Sequence, residues 1–244
     1  MEPSVDLRPL SARSVVLSLL LGAHPARLDA ARLTEAAVEL GVPIATARVA
    51  LSRAVAGGDL LREDGAYALA PRHVARQARQ DEAVADLGRP WDGTWETAVV
   101  VASGRSASER AALRTALAAR RLAELREGVW MRPANLRRED DRAGADDGLE
   151  VLEARPRDPR ALAARLWDLP GWAGAAEAWG ERLRDAAEPG VRLAAAAGLV
   201  RHLATDPLLP AELLPSGWPG ARLRRQYAGY RGEVRRMLDR AAAR

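Results

Sequence analysis

The feature that most restricts this fold is the order of helical and extended segments between residues 11 and 69. Apolar side chains recur at helical spacing in three segments, residues 11–22, 29–40 and 44–56. Gly41-Val42-Pro43 separates the last two, and Asp64-Gly65, a strong hairpin signal, joins two extended runs at 59–62 and 66–69. Helix, helix, turn, helix and hairpin is the order of a winged helix-turn-helix. We therefore predict that fold for residues 1–70.

The third predicted helix has two chemically different sides. Ala47, Leu51, Ala54 and Val55 share one side, and we expect them to pack on the first two helices. The residues predicted to point away are Thr46, Arg48, Val49, Ser52 and Arg53. Arginine donates two hydrogen bonds to guanine in the major groove, and Ser and Thr bond phosphates or bases. This side predicts contact with double-stranded DNA, and an ordinary solvated helix face is the alternative.

Two more arginines are candidate contacts to the DNA backbone. Arg62 lies beside the hairpin turn, and Arg13 lies in the first turn of the first helix. The net charge of +4 is compatible with a nucleic-acid partner, and every basic residue of the chain is arginine. A high-GC genome explains that excess equally well, so the charge by itself does not decide the function.

The rest of the chain predicts a helix-rich α+β protein. Residues 71–90 form a helical connector, and residues 91–157 alternate strand, helix, strand and strand, which is typical of a ferredoxin-like domain. The central segments are strand 98–101, helix 106–122, strand 128–132 and strand 149–154. Residues 158–244 have a helical pattern and form the predicted C-terminal domain.

The chain lacks the residues that several classes of function require. The chain has no Cys, and its three His share no ligand spacing, so we expect no metal site and no thiolate chemistry. It also lacks a P-loop, a dinucleotide fingerprint and a Ser-His-Asp arrangement, so we expect no cofactor and no enzyme. The apolar run at residues 15–21 is too short to span a bilayer and follows no basic leader, which predicts a cytoplasmic protein without membrane contact.

The residues are also compatible with two other functions. A metal-dependent nuclease would use carboxylates, and an acidic loop at residues 137–148 contains Asp140, Asp141, Asp146 and Asp147. The first central strand carries no acid, and like charges in a loop are usually solvated. The second alternative is a winged helix that binds protein instead of DNA.

Seven short motifs, distributed over nearly the whole chain, carry a resemblance to a known family. They are SARS at 11–14, ALSRAV at 50–55, GAYAL at 65–69, WDGTW at 91–95, GVWMRPANL at 128–136, DPLLPAELLP at 206–215 and WPG at 218–220. With these motifs the chain resembles the PaaX-type repressors, which are named for the control of phenylacetate degradation.

The resemblance implies a dimeric repressor of a catabolic operon, and because a two-fold dimer matches two half-sites, we expect a palindromic operator. The resemblance also implies an N-terminal winged helix, a central domain similar to the ferredoxin-like fold of Cas2, and a helical C-terminal domain. By position, Arg48, Ser52 and Arg53 fall on the recognition helix. The best-known members release DNA when they bind phenylacetyl-CoA, which implies a small-molecule effector such as an acyl-CoA.

Four residues of the central region are candidate effector contacts. The side chains of Trp91, Trp95 and Trp130 could stack on an effector, and Arg132 could hold an anionic group of it. The alternative for the three tryptophans is a role in the hydrophobic core, and the alternative for Arg132 is a structural ion pair.

Overall fold

The fold is described from a computed structural model, whose described residues are 9–85, 87–137 and 148–241. The four aspartates of the predicted acidic loop lie outside these residues. The chain forms two compact units, the first comprising Met1–Ala85, Ala173–Ala204 and Pro219–Arg244, the second Asp86–Trp172 and Thr205–Trp218. Within the described residues, none of the helices combines the length and apolar character needed to cross a membrane.

The N-terminal part of the first unit has the predicted winged helix-turn-helix order. Its elements are α1 (Ala12–Gly22), β1 (Arg27–Asp29), α2 (Ala30–Glu39), α3 (Ile44–Ala56), β2 (Leu60–Glu63), β3 (Ala66–Leu69) and α4 (Pro71–Val84). Asp64 and Gly65 both have positive φ, 48° and 76°, as a tight hairpin turn between β2 and β3 requires. The three strands form an antiparallel sheet in the order β1-β3-β2.

The second unit contains a four-stranded antiparallel sheet. Its elements are β4 (Trp95–Val100), α5 (Ala107–Ala119), β5 (Ala123–Arg126), β6 (Val129–Pro133), β7 (Leu149–Ala154) and α6 (Pro159–Leu166). The strand order β5-β6-β4-β7 is that of the predicted ferredoxin-like fold. Trp95 packs on one face of the sheet with Met131 and Ala163, and Trp130 packs on the other face with Leu117. The sheet therefore has a hydrophobic cluster on each side.

The C-terminal helices complete the first unit. They are α7 (Leu169–Asp185, of which residues 173–185 belong to this unit), α8 (Pro189–Leu203) and α9 (Gly220–Ala241). Helix α8 packs on α1 and α4, and α9 packs on α1 and α2, so both contact the winged helix directly. Close packing requires glycine at position 198, because a Cβ there would lie 2.1 Å from the ring of Trp179.

A buried carboxylate connects three elements of the winged helix. Asp59, 2% exposed, lies between the end of α3 and the start of β2. It accepts hydrogen bonds from Arg13 of α1 (Nε, 2.6 Å) and from His73 of α4 (Nε2, 2.9 Å), and it forms an ion pair with Arg72 of α4. Burial by itself raises the pKa of Asp59, but the hydrogen bonds from His73, Arg72 and Arg13 outweigh it and lower that pKa well below its usual range.

Replacing Asp59 with Ala should destabilise the first unit, because Arg13, Arg72 and His73 lose their shared acceptor. We expect the free energy of unfolding to fall by about 3 kcal/mol, measured by urea denaturation with circular dichroism at neutral pH. The exposed Glu181 provides the matched control, and Glu181→Ala should change the same quantity by less than about 0.5 kcal/mol. A loss equal to that of the control would contradict the role of Asp59.

The stabilisation by Asp59 should also depend on pH. Since its pKa is lowered in the folded state, the stabilisation is complete above the ordinary Asp pKa of about 3.9 and is lost as the pH falls further. The parent protein should therefore lose part of its advantage over Asp59→Ala at about pH 3, compared with neutral pH. An advantage that stays constant between the two pH values would show that the carboxylate does not act through its charge.

Candidate nucleic-acid interface

Helix α3 is positioned by a stripe of small apolar residues. It begins at Ile44, directly after Pro43, and the buried residues are Ala47, Ala50, Leu51 and Ala54. Helix α3 packs on α1 and α2. The sequence predicted Ala47, Leu51 and Ala54 correctly, but Val55 is only half-buried and Ala50 is buried in addition. Ala50 completes the stripe because it follows Ala47 by three residues and precedes Ala54 by four.

The other side of α3 is open. The residues predicted to point away are all exposed: Thr46, Arg48, Val49, Ser52 and Arg53. Helical spacing places Ala45, Val49, Ser52 and Ala56 directly opposite the buried stripe. These four side chains are short, so the helix backbone can come close to a partner surface. Val49, 49% exposed, gives this low ridge an apolar centre.

Two arginines lie on either side of the low ridge, Arg48 on one side and Arg53 on the other. Within the part of the chain that the structure describes, neither has a hydrogen bond or an ion pair to another residue. Their guanidinium groups are therefore available to phosphate oxygens or to the O6 and N7 atoms of guanine. The open side of α3 is therefore a convex ridge of short side chains with an exposed guanidinium on each side.

The hairpin between β2 and β3 carries acidic side chains next to Arg62. Arg62 is exposed, and its guanidinium carbon lies 5.9 Å from the ring centroid of the buried Tyr67. The tip next to it carries the carboxylates of Glu63 and Asp64, each 3.6 Å from the guanidinium of Arg27. Arg27, which the sequence did not single out, partly neutralises a tip that would otherwise repel phosphate.

Arg13 occupies a different environment from the other candidate DNA contacts. Its Nε donates to Asp59 over 2.6 Å, and its side chain is 57% exposed. The guanidinium therefore already has an anionic partner, and any contact with phosphate would be shared with Asp59. No local pattern links two residues that are 46 positions apart, so the sequence contained no signal for this pair.

The four candidate effector residues do not form one site. Trp95 is 0% exposed and Trp130 is 7% exposed, and their clusters lie on opposite faces of the sheet. Trp91 is half-buried against the cluster of Trp95, and its Nε1 donates to the carbonyl of Thr94 over 2.7 Å. A single ligand therefore cannot stack on both Trp95 and Trp130.

Arg132 is held inside the second unit. It is 1% exposed, and it donates to the carbonyl of Pro133 (Nε, 2.9 Å) and to Oδ1 of Asn135 (Nη2, 3.0 Å). The amide of Asn135 in turn donates to the carbonyl of Leu208 over 2.9 Å. These bonds tie strand β6 to residues 205–218 of the same unit, which is a structural task for the side chain.

Residues 9–85, 87–137 and 148–241 contain no group of three or more His, Asp or Glu side chains that lie close enough together to hold a metal ion. His24 forms a hydrogen bond of 2.8 Å with Asp81, and His73 forms a hydrogen bond with Asp59. Asp140, Asp141, Asp146 and Asp147, on which the nuclease alternative depends, lie outside these residues.

Comparison with known proteins relates the chain to one family over most of its length. Residues 11–73 match "PaaX-like protein", residues 88–164 match "PaaX protein central Cas2-like domain", and residues 171–244 match "PaaX-like protein C-terminal domain". The solved structure of uncharacterized protein Rv0674 from Mycobacterium tuberculosis is 45% identical, with a TM-score of 0.82 over 95% of this chain and 99% of that one. The comparison with curated proteins finds no match.

The open side of α3 should tolerate substitution without loss of stability. Because Arg48 and Arg53 are exposed and have no partner among the described residues, replacing either with Ala should change the free energy of unfolding by less than about 0.5 kcal/mol. Urea denaturation of the two variants checks this. A larger loss would mean that these side chains hold the fold together and are not free for a ligand.

Proposed function

Because this chain belongs to the PaaX-like protein family, we propose that it is a sequence-specific DNA-binding transcription regulator whose helix α3 enters the major groove. One observation carries the proposal: the exposed side of α3 is a low ridge flanked by the guanidinium groups of Arg48 and Arg53, neither of which has a partner in the part of the chain that the structure describes. A helix of this kind fits a groove about 12 Å wide, in which base edges are accessible.

The side chains of α3 suggest a division of roles on DNA. Arg48 and Arg53 point to opposite sides of the ridge, so each reaches a guanine or a phosphate on its own side of the groove. Val49, at the centre of the ridge, meets the floor of the groove, where the thymine methyl group is its apolar partner. Thr46 and Ser52 bond phosphates or base edges, and Arg62 of the hairpin adds a backbone contact.

We also propose the larger mechanism that the family resemblance implies. Two copies form a symmetric dimer on a palindromic operator, because a two-fold protein presents two recognition helices to two half-sites. The protein represses a catabolic operon, and a small effector such as an acyl-CoA releases it from DNA. Release requires that the effector bind more tightly to the arrangement that does not fit the operator.

Loss of either arginine should weaken operator binding. On a site selected from random duplexes, Arg48→Ala and Arg53→Ala should each raise Kd by about 10-fold or more, because each removes a charge-assisted contact. Arg126→Ala is the matched control, since Arg126 is an exposed arginine of β5 without an ion-pair partner among the described residues, and its Kd should stay unchanged. Both α3 variants binding as well as the parent would refute the assignment of the recognition helix.

The salt dependence distinguishes DNA binding from the protein-assembly alternative. The affinity for the selected duplex should fall steeply with rising salt, because bound arginines displace counterions from phosphates. A variant that loses a phosphate contact should show a shallower slope of log K against log salt, by about one. A parent protein with no affinity for any duplex at low salt would favour the assembly function.

Val49 gives a prediction at the level of single bases. Val49→Ala should weaken binding to the selected site, and replacing the contacted thymine with uracil should weaken binding of the parent. Because both changes remove the same contact, their effects should not add when they are combined in a double-mutant cycle. Additive losses at every thymine of the site would show that Val49 contacts none of them.

A further inference from the structure

A cavity of about 430 Å³ lies in the first unit between helix α9 and the segment that runs from the end of α1 to the first turn of α2. Its volume falls in the range of about 300–1,000 Å³ that is usual for ligand pockets. Small residues make the space, since Ala228 and Gly232 line it one turn apart on α9, and Gly22 and Ala23 line it at the end of α1. The cavity is therefore large enough for a small organic molecule.

Four arginines from three elements line this cavity: Arg27 of β1, Arg32 of α2, and Arg231 and Arg235 of α9. Among the lining residues that the structure describes, Asp239 is the only acid. Arg231, Arg235 and Asp239 follow one another at four-residue spacing, so they lie along one side of α9, and Arg32 reaches Asp239 over 3.4 Å. The walls therefore carry an excess of positive charge.

Arg235 has no partner inside the protein. Its side chain is exposed, and within residues 9–85, 87–137 and 148–241 it makes no hydrogen bond and no ion pair. It lies one turn of α9 from Arg231, so two like charges share the same wall of the cavity. Like charges repel most where the surrounding protein limits solvent screening, and an anion in the cavity would remove that repulsion.

Two of the other arginines are only loosely paired. Arg27 lies 3.6 Å from the carboxylates of Glu63 and Asp64, and Arg32 lies 3.4 Å from that of Asp239. These separations exceed the roughly 2.7–3.2 Å of a good hydrogen bond from nitrogen, and exposed ion pairs of this kind contribute little to stability. A guanidinium has five N–H donors, so Arg27 and Arg32 retain donors for a ligand.

Arg231 is held in place beside the cavity. Its Nη1 donates to Asp81 over 3.0 Å, and its Nη2 lies 3.3 Å from Nδ1 of His24, whose Nε2 in turn lies 2.8 Å from the carboxylate of Asp81. Arg231 and His24 both line the cavity, and Asp81 does not. A guanidinium oriented in advance loses less conformational entropy when it binds an anion.

We propose that this cavity binds a small organic molecule that carries two phosphate groups. A phosphate group has three strong acceptor oxygens, so it accepts hydrogen bonds from more than one guanidinium at a time. Residues 231–239 extend over about 12 Å of α9, so a single phosphate group cannot meet the arginines at both ends of this row. Two phosphate groups satisfy them together.

The arginines divide between the two groups by their position. One phosphate group pairs with Arg231 and Arg235 on α9, and the other pairs with Arg32 and Arg27, which come from α2 and β1. The organic body of the ligand lies against the apolar part of the wall. The site goes beyond the proposed DNA-binding function and does not depend on it.

Calorimetric titration of the full chain, without DNA and at constant ionic strength, tests the site. The probes are ADP, whose phosphates are adjacent, fructose bisphosphate, whose phosphates are separated, AMP, which has one phosphate, and citrate, which has only carboxylates. We expect saturable binding of ADP or fructose bisphosphate, and at least about 10-fold weaker binding of AMP and citrate. The proposal is overturned if neither doubly phosphorylated probe binds saturably, or if AMP or citrate binds as tightly.

Variants locate the binding. Arg235→Gln should raise the Kd of the bound probe at least about 10-fold, because it removes a charge-assisted contact. Gly232→Leu should weaken binding as much without a change in charge, since its side chain starts on the cavity wall. Leucine also favours the helix more than glycine does, and a Cβ at position 232 has Nη1 of Arg236, at 3.5 Å, as its nearest neighbour.

The matched control is Arg236→Gln, a change of the exposed arginine that follows Arg235 on α9 and does not line the cavity. Its Kd for the probe should equal that of the parent. If Arg235→Gln and Gly232→Leu, both folded by circular dichroism, bind like the parent, the site is wrong. An equal loss in Arg236→Gln would trace the effect to the overall charge of α9 and would also overturn the site.

A last measurement distinguishes a free ligand from the phosphates of DNA. Arg235→Gln should bind the selected duplex like the parent, because the cavity is too small to admit a double helix. Loss of duplex affinity in this variant, together with no binding of any probe, would assign Arg235 to the DNA backbone and refute the cavity site. Probe binding by a parent protein with no affinity for any duplex would refute the proposed function and leave the site standing.

Discussion

The geometry of the winged helix depends on the carboxylate of Asp59. This residue follows the two glycines at 57 and 58 that come after α3, and it precedes β2, so it lies at the junction between the helix and the hairpin. Burying a carboxylate alone would be strongly unfavourable. Arg13 comes from α1, and Arg72 and His73 come from α4, so the compensation draws together elements from both ends of the winged helix. The cluster therefore determines how α1, α3 and α4 are arranged.

In a chain that uses no lysine, the environments of the arginines separate those with an anionic partner inside the protein from those that are exposed. Arg13 and Arg72 have a buried carboxylate, and their positive charge is satisfied inside the protein. Arg48 and Arg53 are exposed and have no partner among the described residues, so their charge is available to an anionic polymer. Arg76 is the unusual case, because it is partly buried and has no ion pair among the described residues. The net charge of +4 does not distinguish these three environments of arginine.

The tryptophans of the second unit compensate for the absence of phenylalanine. With no Phe in the chain, Trp95 and Trp130 supply the bulk for the two faces of the central sheet, and each is almost completely buried. Trp172 and Trp218 stack at 4.6 Å between ring centroids in the same unit. Large aromatic side chains bury much apolar area. In this unit Trp95 and Trp130 fill the hydrophobic core and are not exposed for stacking on a ligand.

The sequence by itself determined the elements whose causes are local. Apolar periodicity located α1, α2 and α3, Asp64-Gly65 located the hairpin, and the exposed side of α3 followed from its buried side. Strands β1 and β5 were missed because they have three and four residues and exist through their pairing with β3 and β6. Only the tertiary structure decided that Asp59 meets Arg13 and that Arg76 lines a cleft with Tyr230. Those pairings join residues 46 and 154 positions apart, and folding brings such residues together through the packing of whole helices, which no local pattern encodes.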